Sequence, residues 1–145
     1  MRVSVDDLLG MSRRGLDALY TSSEPGPIPQ GDTLGTGIAL PGTLVTGPLS
    51  RVARFLWQGK VFDPATSTLI NKVMGGRLFV ARVYRGESWL DGKPSIIIDY
   101  QETSWVVGPV RDEIRQVSPG LYLGIAYLRT RPPKRVVYFA LDVRR

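Results

Sequence analysis

The sequence predicts a mainly β chain: one antiparallel β-barrel of about eight or nine strands, with two short helices ahead of it. Three observations predict this. From Lys60 onward, short apolar runs alternate with turn signals at hairpin spacing. The turns are marked by Pro64, Gly75-Gly76, "DGKP" at 91–94, Pro119-Gly120 and "RPPK" at 131–134. A meander this long is expected to close or nearly close, because closure removes exposed strand edges. The 145 residues suffice for a single domain with its own core. It divides into a helix at 4–20, a loop at 21–32 and the barrel at 33–143.

The elements follow in order. "SVDDLLGMSRRGLDALY" (4–20) reads as a helix. Ser4 suits the N-cap, Asp6 and Asp7 suit the positive end of the helix dipole, and Leu8, Leu9, Leu16, Leu19 and Tyr20 form an apolar stripe. Gly10 and Gly15 weaken it. "TSSEPGPIPQGD" (21–32) has three prolines and two glycines and reads as a loop. "TLGTGIAL" (33–40) reads as a strand whose Gly35 and Gly37 share a face, where the N-terminal helix is expected to pack close. "PLSRVARFLWQG" (48–59) places Leu49, Val52, Ala53 and Leu56 at helical spacing, with Pro48 and Gly59 at its ends, and predicts the second helix. The strand-like runs that follow are "KVFD", "TLINKVM", "RLFVARVYR", "SIIIDY", "SWVV", "RDEIRQV", "LYLGIAYLR" and "RVVYFALDV".

Composition removes whole classes of chemistry. There is no histidine and no cysteine. Ser-His-Asp and Cys-His catalysis, histidine- or cysteine-ligated metals and disulfides are therefore excluded. No cofactor and no metal site is expected. Acid–base work falls to Asp, Glu, Lys and Tyr. Lys plus Arg number 19 against 13 Asp plus Glu, a net charge of +6. The positive residues are scattered, and no nucleic-acid-binding motif accompanies them, which weighs against a nucleic-acid partner. No stretch approaches the roughly 20 apolar residues of a membrane helix, and Asp6 and Asp7 interrupt any secretory pattern. A cytoplasmic monomer or homodimer is the expectation.

The charged run "RDEIRQV" (111–117) is the candidate centre of function. As a strand it puts Val110, Asp112, Ile114 and Gln116 on one face, the inward one, and Arg111, Glu113, Arg115 and Val117 on the other, which is expected to be solvated. A carboxylate at 112 would then need a partner. Asp99 in "IIIDY" poses the same question. Two uses compete. In the first, a small apolar or amphipathic molecule, a lipid-like ligand, sits in the lumen against Trp57, Lys60, Tyr84, Tyr100, Arg111, Asp112, Tyr122 and Tyr138. Aromatic rings supply walls with polar handles there, Gly124 and Ala126 leave space, and Lys60 or Arg111 meets a ligand carboxylate. In the second, the barrel is a cofactor-free cyclase, isomerase or lyase. Asp99, Asp112 or Glu113 then does the acid–base work, and Tyr100 or Tyr122 stabilises developing charge.

"WQGKVFD" (57–63), "IIIDY" (96–100), "RDEIRQV" (111–117) and "GLYLG" (120–124) together resemble a group of uncharacterised bacterial proteins with the same elements, over about residues 5–143. Their general form is similar to calycin barrels, the lipocalin and fatty-acid-binding architecture. That likeness implies a closed antiparallel barrel and an apolar or amphipathic ligand. The lipocalin Gly-x-Trp near the first strand is absent, so the likeness is one of architecture.

Overall fold

The computed structural model describes residues 2–38 and 57–143. Two helices come first, α1 (Val5–Leu9) and α2 (Arg13–Thr21). Among the described residues nine strands follow: β1 (Gly31–Asp32), β2 (Leu34–Ile38), β3 (Trp57–Asp63), β4 (Thr68–Val73), β5 (Gly76–Glu87), β6 (Pro94–Asp99), β7 (Val110–Ser118), β8 (Leu121–Leu128) and β9 (Lys134–Asp142). All pairings are antiparallel, in the order β1-β3-β4-β5-β6-β7-β8-β9-β2. β1 and β2 are one run of chain bent at Thr33. Its first part pairs with β3 and its second with β9, so a single segment meets both edges of the sheet and nearly closes the barrel. Thr33 secures the bend: its backbone N–H and its hydroxyl both donate to the Lys60 carbonyl, at 3.0 and 2.7 Å.

Local chemistry accounts for the elements. The helix expected over 4–20 is two helices. Ser4 and Asp7 form a reciprocal capping box on α1, Gly10 closes it, and the Ser12 hydroxyl caps α2. Two good caps eight residues apart break the run that one apolar stripe suggested. Trp57 to Gly59, expected to end the second helix, open β3 instead. The rest of that expected helix and the end of the first expected strand lie in 39–56, outside the described residues. Gly31 and Asp32, expected in the loop, form β1 because β3 offers them a pairing edge. "SWVV" (104–107) joins no strand. The chain turns at once on the Tyr100 carbonyl, which accepts from the Thr103 and Ser104 N–H groups. The β4–β5 turn is Met74-Gly75, both with positive φ (52° and 78°), as a tight two-residue hairpin requires.

The described residues form two apolar layers. Phe62, Leu69, Ala81, Val83, Ile96, Ile98, Tyr100, Ile114, Tyr122, Phe139 and Leu141 fill the lumen. A second layer lies outside the sheet, where Leu8, Leu16 and Tyr20 of the helices pack on Leu121, Leu123, Ile125, Tyr127, Tyr138 and Ala140. β8 is thus buried on both faces, which explains why "LYLGIAYL" does not alternate. Gly35 does not receive the helix. A Cβ there would lie 2.5 Å from the Trp57 ring and 2.6 Å from the Gly59 backbone, so its missing side chain admits Trp57 and β3.

Candidate functional site

Alternation along β7 divides its charges between two environments. Asp112 faces the lumen between Ile98 of β6 and Ala126 of β8. Lys60 on β3, Asn71 on β4 and Tyr100 just after β6 point to the same place, because each shares strand parity with lumen apolar residues: Phe62, Leu69 and Ile98 respectively. The Lys60 ammonium is 3.1 Å from Asp112 Oδ2, and donates to Asn71 Oδ1 at 2.7 Å and to the Tyr100 hydroxyl at 2.8 Å. Tyr100 also accepts from Asn71 Nδ2 at 2.7 Å and makes a longer contact of 3.5 Å to Asp112 Oδ2. The Trp57 indole N–H donates to Asn71 Oδ1 at 3.0 Å. The rings of Trp57, Tyr100 and Phe139 surround the ammonium at 5.4 to 5.5 Å.

This cluster is sealed. Lys60, Asn71, Tyr100 and Asp112 are 3, 4, 3 and 4% exposed. The ammonium directs its three N–H groups to three protein oxygens. The space expected at Gly124 is taken by the Phe139 ring, 2.2 Å from where a Cβ would stand. Burial pushes the Asp112 carboxyl up, and the opposing pull of Lys60 does not cancel it. Burial pulls the Lys60 ammonium down, but Tyr100 and Asp112 outweigh this and its pKa is raised. The Tyr100 phenol is pushed up by burial against the attraction of Lys60. Chemically, the cluster holds its protons tightly at the centre of the barrel.

The outward face of β7 corrects an expectation. Arg111, Glu113 and Arg115 are not solvated; they are 5, 0 and 1% exposed. The cause is tertiary: the β5–β6 hairpin and α2 fold over them. Glu113 accepts from the Ser88 hydroxyl at 2.5 Å, the Trp89 N–H at 3.0 Å and Arg111 at 2.8 Å. Arg111 also donates to the Glu87 carbonyl and stacks on Trp89, 4.1 Å from the ring centroid. Arg115 grips Asp91 with two bonds of 2.7 Å and donates to the carbonyls of Tyr20, Lys93 and Pro94. The Arg115 hydrogen bonds hold the Asp91 carboxyl below its usual range.

The other predicted residues stand apart. Asp99 lies outside the lumen, bound to Arg129 at 2.9 Å and to the Tyr84 hydroxyl at 2.8 Å, and Tyr84 is 39% exposed. Burial alone would raise Asp99, but hydrogen bonds from the Gln101 N–H and Tyr84 with the Arg129 charge bring it below its usual value. Tyr122 faces the lumen at the opposite end, where its hydroxyl donates to the Pro27 carbonyl at 2.5 Å. Tyr138 lies under the helices, bonded to Asp17. The structure therefore gathers Trp57, Lys60, Tyr100 and Asp112 in one place, and Arg111 with Glu113 in another. Tyr84, Asp99, Tyr122 and Tyr138 join neither. Asn71 was missed, although its parity with Leu69 in "TLINKVM" marks it as a polar residue on an apolar face.

A cleft of about 310 Å³ opens at the end of the barrel where Tyr122 meets the 25–30 loop. Ile28, Phe62 and Val83 give it apolar walls, and Gln30, Thr68 and Arg85 supply polar groups. None of the predicted ligand residues lines it. No helix among the described residues is long and apolar enough to cross a membrane.

No family model and no curated protein matches the chain. A solved structure described as "Crystal structure of protein from Thermomonospora curvata" is similar, with a TM-score of 0.63 over 93% of this chain and 89% of its own, at 18% identity. That likeness speaks for the fold alone.

Proposed function

We propose that this chain is a small-molecule-binding barrel whose amphipathic ligand sits in the cleft between the 25–30 loop and the β3–β4 turn. The observation that carries this is the cleft itself. Its volume of about 310 Å³ falls at the lower end of the range for small-ligand sites. Its chemistry suits an amphipathic molecule: Phe62, Val83 and Ile28 for an apolar portion, Arg85 at the rim for an anionic head. Arg85 reaches across to the Gly26 carbonyl at 2.8 Å, so the loop and the cation form one edge. The resemblance to calycin barrels supports the same ligand class, with the seat moved from mid-lumen to the mouth. Of the acid–base candidates, Asp112, Glu113 and Tyr100 are sealed and Asp99 is held by Arg129 and the Tyr84 hydroxyl, which supports binding over catalysis.

The test is titration with dodecanoate, followed by native mass spectrometry and calorimetry. Saturable one-to-one binding is expected. Thr68→Trp, which fills the cleft from a strand position, should weaken it at least about tenfold without lowering Tm, and Arg85→Gln should weaken it about fivefold. Absence of saturable binding by the wild-type protein, or unchanged binding by Thr68→Trp, would overturn the reading.

A further inference from the structure

The opposite end of the barrel holds large apolar side chains in water. Antiparallel alternation brings the β4–β5 turn, the β6–β7 connection and the β8–β9 connection to that one end. There Trp105 is 91% exposed, Met74 72% and Val106 58%, and Leu78, early in β5, is 52% exposed. Trp105 and Val106 project from a tethered connection. The Thr103 hydroxyl donates to the Val80 carbonyl at 2.5 Å, and Arg82 pairs with Glu102 at 2.7 Å, which tie the 101–104 stem to β5. Several large apolar side chains exposed at the same end of the barrel mark a candidate interaction surface.

The unpaired charges at this end have one sign. Arg77, Arg131 and Lys134 are exposed and make no ion pair among the described residues. The acids nearby, Asp99 and Glu102, are each held by an arginine, Arg129 and Arg82. Apolar tips that share one barrel end with unpaired cations complement a surface that is anionic outside and apolar just beneath. We propose that this end docks on an anionic lipid bilayer, with Trp105, Val106 and Met74 entering the headgroup layer and Arg77, Arg131 and Lys134 meeting lipid phosphates. An indole fits the bilayer interface, where its ring is buried and its N–H stays wet. Aliphatic Met74 and Val106 give nucleic-acid bases no plane to stack on, which favours lipid over a nucleic acid. Two weak signals, shallow apolar insertion and basic residues, together give stable yet reversible attachment.

Co-sedimentation with vesicles tests this on the full chain. Vesicles with about one third phosphatidylglycerol should carry the protein down, and pure phosphatidylcholine vesicles should not. Raising salt from about 0.1 M to about 0.5 M should release it. The Trp105→Ser/Val106→Ser double variant, altered only at exposed positions, should keep the wild-type Tm and lose most of the binding. Each of Arg131→Gln and Lys134→Gln should weaken partitioning about fivefold. No sedimentation of the wild-type protein with anionic vesicles overturns the proposal, as does full binding by the double variant. So does a result in which the double variant abolishes self-association in sedimentation equilibrium while vesicles bind nothing, which would make this end a protein interface.

Discussion

β7 carries two charged clusters, one on each side of the same strand, and they differ in what they hold together. Inside, one ammonium and one carboxylate are joined through a phenol and an amide, all on or directly beside barrel strands. Outside, Arg111, Glu113 and Arg115 reach other parts of the chain: Ser88, Trp89 and Asp91 in the β5–β6 hairpin, and the Tyr20 carbonyl in α2. The inner cluster fixes how β3, β4, β6 and β7 face one another across the lumen. The outer one attaches the helices and a hairpin to the barrel wall. Both are buried and both balance their charges, yet only the inner one depends on a single cation. Burial costs a lone charge far more than a group that shares several partners. The inner cluster should therefore be the more fragile when one member is lost.

The largest expected effect follows directly. Lys60→Met leaves Asp112 without its cation in the lumen and should cost about 3–5 kcal/mol in urea unfolding. Adding Asp112→Leu should recover most of that loss, because the apolar pair leaves no charge stranded. If the double variant is no more stable than Lys60→Met, the lumen pair is not the coupled unit described.

Arg115→Met should have a smaller effect, about 2–3 kcal/mol, since it removes charge-assisted bonds while Asp91, 13% exposed, can rehydrate. Its signature is local. Amide exchange should accelerate in α2 and the 88–93 turn and change little in β3 and β4. Uniform acceleration throughout the barrel would erase the distinction between fastening and core.

The smallest effect is a difference in sign with pH. Asp91 has a depressed folded pKa, so its stabilisation is present above the unfolded value near 3.8 and is lost as pH falls through the folded value. Asp112 has a raised folded pKa, so its contribution is fully present below 3.8 and is lost as pH rises through the folded value. Stability of the wild-type protein relative to Asp91→Asn should rise with pH across this acid range. Relative to Asp112→Asn it should fall. Parallel profiles from chemical denaturation would contradict the assignment of the two environments.

Much of the architecture was legible in order. Period-two alternation and Pro/Gly turns locate strands because both are local consequences of backbone geometry. Alternation also placed Asp112 beside Val110 and Ile114 on the inward face, since parity is carried by the strand itself. Where local signals competed, the sequence misled. The stripe through Leu8 and Leu16 suggested one helix, but capping at Gly10 and Ser12 divided it. "PLSRVARFLWQG" has helical spacing, yet Trp57 and Gly59 pair with β4 around a bulge at Gln58 and follow the sheet.

The sequence by itself determined the class of chain, most of the strands from Val61 onward, the loss of histidine and cysteine chemistry, and the parity of residues along those strands. Only the tertiary structure decided what each face meets. Arg111, Glu113 and Arg115 read as a solvated face because nothing within "RDEIRQV" distinguishes a charge facing water from one facing a folded-back hairpin. Their partners lie as far as 95 residues away, at Tyr20. Likewise Lys60, Asn71, Tyr100 and Asp112 become neighbours only when the sheet curls until β3 and β7 face across one lumen. Burial, partner and proton affinity belong to that meeting, and no local pattern encodes it.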